Sequence, residues 1–341
     1  MRALVTGGAG YVGSHMVKTL LDAGHEPVVL DDMSTGHRDA VPPGVPFVLG
    51  DVADAAEVAA LIRDQRIEAV FHFAAKSRVE QSVAEPRLYW KGNVVATLAL
   101  LDAVLDAGTV KAFVQSSTAA VYGAPDEVPI DEDHPKRPLS PYGETKLAVE
   151  QALAGYGRAH GLRWAALRYF NAAGAEHEAG LGERHEPETH LIPLVLEVAS
   201  GERASIAMYG TSWPTPDGTC VRDYVHVTDL GEAHLAAVEY LLRGGACGAF
   251  NLGTGRGHSV REIVEAARAV TGRTIPTADA PPRAGDPAAL VAKVERAANV
   301  LGWRARRADL RRIVGDAWAW KQRAPASARQ LAAKDLGAPL K

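Results

Sequence analysis

The stretch ALVTGGAGYVGSHMV, residues 3–17, sets a glycine cluster between two apolar segments. "RALVT" before it reads as a short buried strand. "YVGSHMVKTLLDAG" after it repeats apolar residues at helical spacing (Val12, Met16, Leu20) and closes on Gly24. A strand that enters a helix through glycines leaves free N–H groups at the positive end of the helix, where a phosphate can sit. Glycine permits the tight turn and lets the backbone approach the phosphate closely. Gly7, Gly10 and Gly13 are therefore candidate pyrophosphate ligands, together with Tyr11 and Val12 of the first helical turn. The next strand, "EPVVLD", ends at Asp31, eighteen residues past Gly13. A carboxylate there accepts ribose hydroxyls and repels a 2′-phosphate, which selects NAD over NADP. Asp51 and Val52, after the strand "VPFVLG", are placed to meet the adenine edge.

Working outward, strands and helices alternate. The helix "AEVAALIRDQ" is followed by the strand "AVFHFAA", the helix "VVATLALLDAVLDAG", the strand "KAFVQSS", the helix after Pro141 and the strand "RWAALRYFN". Continuous apolar strands between helices imply a parallel sheet covered on both faces. The fold expected is α/β, a Rossmann-type doubly wound parallel sheet with a smaller interleaved α/β unit. After Asn171 the texture becomes polar and glycine-rich, a loop or lid, and "GAFNLGTG" then looks like one more strand of the main sheet. This pattern assigns residues 1–170 plus about 222–252 to a nucleotide-binding domain. Residues 171–221 plus 253–325 form the second domain, and 326–341 are expected to fray. Ser259 and Glu262 stand in capping-box spacing ahead of a helix.

Composition narrows the function classes. Lys plus Arg number 37 against 41 Asp plus Glu, whereas nucleic-acid binders are usually basic. The basic run "RARRADLRR" (304–312) is broken by Asp309 and reads as a solvated helix face. Cys220 and Cys247 lack metal-ligand spacing and read as buried or half-buried thiols of a reducing compartment. No metal is expected. No signal peptide is evident, and no apolar run approaches the roughly 18 residues of a membrane span. The expectation is a cytoplasmic protein with neither nucleic-acid nor membrane partner.

Thr6-Gly7-x-x-Gly10-x-x-Gly13 combined with Tyr142-x-x-x-Lys146 resembles the extended short-chain dehydrogenase/reductase family, also called the NAD-dependent epimerase/dehydratase family. The likeness runs over nearly the whole chain. Asn93, Ser116-Ser117-Thr118 and Tyr169-Phe170-Asn171 fall where the family has matching elements. Through "SPYGETKLAVEQ", "LRYFNAAGA", "DGTCVRDYVHVTDL" and "NLGTG" the chain is most similar to the branch that inverts C4 of UDP-hexoses. The resemblance implies NAD held also by Phe73, Ala74, Ala75, Asn93, Ser116, Tyr142, Lys146 and Tyr169. It implies a UDP-sugar held by Thr118, Tyr142, Asn171, His190, Leu191, Arg222, Arg283, Asp286 and Leu290.

The residues themselves support that chemistry. Tyr142 and Lys146 are four apart on a helical stretch and share a face. A free tyrosine is a poor base at neutral pH. A nearby ammonium and a cationic nicotinamide ring would stabilise its phenolate. Thr118 ends a buried strand, and its hydroxyl could bridge the sugar 4-OH and Tyr142. Arg222 and Arg283 suit a diphosphate because guanidinium matches phosphate oxygens and stays charged, although either could equally serve a surface ion pair. His190 stands where some relatives carry Asn; a hydrogen bond to the diphosphate and a structural role are both open.

The family's dehydratases place an Asp-Glu pair directly after the Thr. Here those positions are Ala119 and Ala120, which cannot transfer a proton. That leaves 4-epimerisation through a transient 4-keto sugar as the first reading, and the resemblance implies UDP-glucose and UDP-galactose as its pair. The alternatives are 4-epimerisation of another UDP-sugar (N-acetylhexosamine, pentose or uronate), an NAD-dependent nucleotide-sugar dehydrogenase, and an NAD-sensing regulator. By resemblance Leu290 lines the hexose pocket beside the C2 substituent. A tyrosine there restricts the pocket, a small residue admits N-acetylated sugars, and leucine is intermediate. Residues 94–108 and the helix "KLAVEQALAGY" are apolar on more than one face and need more than one partner surface. The resemblance implies a homodimer built from these two helices of each subunit.

Overall fold

The structure, a computed structural model, describes residues 1–283 and 286–323; the tail expected at 326–341 lies outside these. The chain opens with β1 (Arg2–Thr6), α1 (Tyr11–Asp22), β2 (Glu26–Asp31), β3 (Phe47–Leu49), α2 (Ala55–Asp64) and β4 (Ala69–His72). Two short helices, α3 (Val79–Ala84) and α4 (Pro86–Tyr89), lead through a π-helical turn at Trp90–Val95 into α5 (Ala96–Ala107). Then come β5 (Ala112–Thr118), α6 (Pro141–His160), β6 (Trp164–Tyr169) and β7 (Asn171–Ala173). The rest comprises α7 (Leu191–Ser200), β8 (Ile206–Tyr209), β9 (Val221–His226), α8 (Val227–Leu242), β10 (Gly248–Leu252), β11 (Gly257–Ser259), α9 (Val260–Thr271), β12 (Thr277–Ala280), β13 (Ala289–Leu290) and α10 (Leu310–Arg323).

Seven strands form one sheet in the order β10-β6-β5-β4-β1-β2-β3, every pair parallel. Successive strand residues point to opposite faces, so the core divides in two. Ala3, Val5 and Val114 pack with Met16 and Leu20 of α1 and Leu230 and Val238 of α8. Leu4, Val70 and Phe113 pack with Ile62 of α2, Leu100 and Val104 of α5, and Val149 of α6. The strand order reverses direction at β1. In such sheets ligands bind outside the carboxyl ends of the strands at that switch point.

A second unit lies beyond that edge. There β9 pairs with β11, β13 and β7, while β8 pairs with β12. Helices α7, α9 and α10 cover it around Val195, Leu196, Ile263 and Ile313. Both halves of the capping box at Ser259 and Glu262 form. One boundary expected from the sequence moves. Val221–His226 pairs in the small sheet, and the chain returns to the large one only with α8 and β10. VRDYVH mixes Val and Tyr with Arg, Asp and His, a pattern that suits a strand of either sheet, so composition could not place it.

Three smaller expectations are corrected. Residues 304–309 are not helical; Arg307 turns inward onto Asp229 and Glu232, and only the end of the basic run enters α10. Cys247 is exposed, with its sulfur accepting the Trp164 N–H, while Cys220 is buried; neither is in a disulfide. The helix Pro86–Ala107, 22 residues long, is apolar enough by length and composition to cross a membrane. It was missed as one helix because Pro86 and the turn around Gly92 interrupt the sequence pattern. In this fold its Leu100, Leu101 and Val104 are buried in the core.

Candidate active site

One cavity of about 1240 Å³ runs along the carboxyl edge of the large sheet and into the second unit. Gly7, Gly10, Tyr11, Val12 and Gly13 line one end. Gly7 has φ +70°, and a Cβ on Gly13 would fall 2.1 Å from the Gly7 carbonyl oxygen, so the turn closes only on glycine. No side chain caps α1 at Gly10, and its first turn holds no acid. The helix start therefore offers backbone N–H groups and positive potential to the cavity. The Tyr11 hydroxyl donates to the Gly174 carbonyl (2.7 Å) and ties this turn to the second unit.

Asp31 is buried at the end of β2 and lines the same cavity. Its two oxygens accept the Ala9 and Met33 N–H groups, 2.9 Å each, which fixes the carboxylate while leaving a further lone pair on each oxygen. Asp51 and Val52 line the wall beyond it, and Phe73, Ala74 and Ala75 line the wall after β4. An uncapped helix start, a glycine turn and a fixed carboxylate on one groove fit a dinucleotide.

Asn93 is not on this wall. It is buried behind it: its Oδ1 accepts the Lys76 N–H (2.7 Å), and its Nδ2 donates to the Lys76 carbonyl (3.0 Å) and to Thr145 (3.1 Å). It holds in place the segment that carries Lys76. Lys76, Arg78 and Lys91 line the cavity and were not expected. The only signal in the sequence was a cation just past a strand's carboxyl end.

At the centre, Ser140 caps α6 by accepting the Gly143 N–H, and Pro141 occupies its first turn. That start aims Tyr142 into the cavity, with Lys146 one turn on. Lys146 Nζ donates to the Ser116 carbonyl (2.9 Å), and Ser116 and Tyr169 join hydroxyls. Thr118 lines the cavity beside Ala119 and Ala120. Burial lowers Lys146 to about 8, against the pull of Glu150.

Burial raises Tyr142 to about 12, opposed by a hydrogen bond from Thr118, and Lys146 does not offset it. In the protein alone desolvation sets the balance, while Lys146 Nζ, bonded to one carbonyl, keeps further N–H groups. Beneath the pair lies a buried network that the sequence reading passed over. Glu150 accepts from Ser117 (2.5 Å) and pairs with Arg168, which also donates to the Tyr122 hydroxyl (2.9 Å). Its one legible sign was an acid a turn after Lys146.

The far end carries Asn171 of β7, Leu191 at the start of α7, Arg222 of β9, and Arg283, Asp286 and Leu290, all on the same cavity. Arg222 lies 3.4 Å from Asp286, and Leu290 stands beside Arg222 in the β13–β9 register. Arg283 covers the Tyr209 ring at 3.9 Å and pairs with Glu80 of the large unit. Leu290 also packs on the Ala119–Tyr122 cluster, so it belongs to both the wall and the core. His190 lines the cavity with its Nδ1 turned to Glu183 (2.7 Å) and Glu188 (3.3 Å). Although burial disfavours its cation, those carboxylates raise His190 to about 10.

Such a sheet and groove define a dinucleotide-binding α/β protein. The chain belongs to the NAD dependent epimerase/dehydratase family, whose model matches residues 3–253. It is 51% identical over 320 residues to the UDP-glucose 4-epimerase of Corynebacterium glutamicum, covering 94% of this chain and 95% of that one. It is also 51% identical to that of Streptomyces lividans, covering 94% and 96%. Among solved structures, UDP-glucose 4-epimerase from Brucella ovis in complex with NAD matches with TM-score 0.90 and 48% identity over 93% of this chain and 97% of that one. An epimerase from Stenotrophomonas maltophila with bound NAD and formylated UDP-arabinopyranose matches with TM-score 0.92 and 40% identity, over 97% and 99%.

Proposed function

We infer that this chain is an NAD-dependent enzyme that inverts C4 of a UDP-hexose, interconverting UDP-glucose and UDP-galactose. The observation that carries the reading is one continuous cavity. It runs from the glycine turn and Asp31, past Tyr142, Lys146 and Thr118, to Arg222 and Arg283, with alanines at 119 and 120. Bound NAD would supply the hydride acceptor for C4 and, once reduced, the donor that restores it.

The chain's own residues do the rest. Gly7, Gly10, Tyr11, Val12 and Gly13 hold the pyrophosphate of NAD, and Asp31 its ribose hydroxyls. Phe73–Ala75, Ser116 and Tyr169 wall the nicotinamide end. Tyr142 takes the 4-OH proton and later returns it. Thr118 relays between the sugar and that phenol, and Lys146 supplies positive charge beside it. Since burial alone holds Tyr142 near 12, its base form depends on added positive charge in the loaded site. Ala119 and Ala120 provide no second acid or base, which disfavours loss of water from the sugar. Arg222 and Arg283 bind the diphosphate. Asn171, Leu191 and Asp286 line the nucleotide, and Leu290 borders the hexose.

We place the enzyme in the cytoplasm as a homodimer, on the strength of its unpaired cysteines and of the incompletely covered apolar residues Leu98, Ala99 and Leu105. Denaturing the purified protein should release NAD by mass. With UDP-galactose it should form UDP-glucose without added cofactor. Tyr142→Phe should keep its NAD and lose about a hundredfold or more in turnover. Near-normal turnover in that folded variant overturns the assignment of Tyr142, and no interconversion of any UDP-hexose by the wild type overturns the function.

A further inference from the structure

The segment 183–190 reads Glu-x-His-x-x-Glu-x-His and folds back on itself just before α7. Its four acidic and imidazole side chains converge, with one ligating atom from each lying within 4.8 Å of the others. His185 Nδ1 is 3.0 Å and His190 Nδ1 2.7 Å from the same Glu183 oxygen. The same two nitrogens lie 3.8 and 3.3 Å from Glu188. Ligands bound tetrahedrally at about 2.0–2.1 Å stand about 3.3 Å apart. The observed spacings bracket that value. Both carboxylates are nearly buried, their side chains 7% and 9% exposed.

We propose that Glu183, His185, Glu188 and His190 bind one divalent transition metal ion, zinc by their chemistry. Two imidazoles and two carboxylates form a borderline set that suits Zn²⁺ rather than the oxygen-only preference of Ca²⁺ or Mg²⁺. A dication would balance the two carboxylates and take one Nδ1 from each imidazole. The backbone around the cluster is already braced. Glu188 accepts the Thr189 and His190 N–H groups at 2.7 and 2.8 Å. Trp320 Nε1 donates to the Glu183 carbonyl (3.2 Å), and the His185 ring meets Tyr11 edge-on. The two N–H groups on Glu188 are of the kind that orient a ligating carboxylate. The ion would clasp the loop between α10 of the second unit and α1 of the first. Its role is structural, and it takes no part in the C4 chemistry.

The test uses the protein with its resident nucleotide, treated with EDTA and desalted, then titrated with Co²⁺ as a spectroscopic probe. One equivalent should give the intense visible d–d bands of tetrahedral Co²⁺, and one equivalent of Zn²⁺ should abolish them. His185→Ala should remove the bands and weaken Zn²⁺ binding at least about tenfold, the scale of losing even a supporting contact. Glu188→Gln is the second variant, and circular dichroism and retained nucleotide establish that each is folded. Absence of tetrahedral bands in the wild type, or bands unchanged in a folded variant, overturns the site and leaves a cluster of histidine–glutamate ion pairs.

Discussion

At the scale of single residues, Lys146 carries a cost that can be measured. Its folded value near 8 lies below the value near 10.4 of an unfolded lysine. Between the two, the unfolded chain binds more protons than the native one, so native stability rises with pH across that window. Below it, the buried ammonium destabilises the fold in full. Lys146→Met should therefore raise the stability of nucleotide-free protein at about pH 7, on the order of 1–3 kcal/mol, and flatten the rise toward about pH 10. Urea unfolding across that range reads both; an unchanged pH slope would show that Lys146 keeps its ordinary pKa. Leu290 tests selectivity. A group added in an apolar pocket changes discrimination by about 1–3 kcal/mol, so wild type should prefer UDP-glucose and UDP-galactose while retaining some activity on UDP-N-acetylhexosamines. Leu290→Tyr should depress the second activity selectively. An unchanged ratio in an active variant would leave Leu290 with its packing against Ala119–Tyr122 alone. Tyr142, Lys146 and Thr118 were legible as residues because their spacing carries the chemistry. The balance that raises Tyr142 was not, because it depends first on how deeply the fold buries the ring and then on the Thr118 hydroxyl that opposes it.

At the scale of elements, the strand–glycine–helix start was legible because it is local. Each glycine answers to a neighbour a few residues off, and Gly13 answers to the Gly7 carbonyl. Gly13→Ala should thus force the turn open and cost about 1–3 kcal/mol or more. Melting should show a lower Tm, and purified variant should carry less NAD; a normal Tm with full NAD would mean that the turn yields without loss. Elements built from distant pairings were less legible. Residues from about 222 were expected in the nucleotide-binding domain, whereas the partners of β9, Ala289–Leu290 and Gly257–Ser259, lie in the second unit and far along the chain. Asn93 shows the same limit. Its position matched a binding element, but its side chain faces Lys76 and Thr145 inside the wall. The irregular path through Arg304–Asp309 is set by Arg307 meeting Asp229, a contact that no periodicity announces.

At the scale of the whole molecule, the cavity is lined both by the seven-stranded sheet's carboxyl edge and by residues of the second unit. The outer side of the helix pair α5 and α6 offers Leu98, Ala99, Leu105 and Ala152, none fully buried, and Tyr156 bonded to Asp102. Covering that apolar surface with a second copy gives a four-helix contact, so light scattering at micromolar concentration should report a dimer; a monomer mass would contradict it. The central claim is that C4 is oxidised and then reduced by the same resident cofactor, with Tyr142 moving only the hydroxyl proton. Its most direct test is to supply UDP-glucose deuterated at C4 and read the UDP-galactose product by NMR. Deuterium should stay at C4 through equilibration. Washout of that deuterium into water would contradict it.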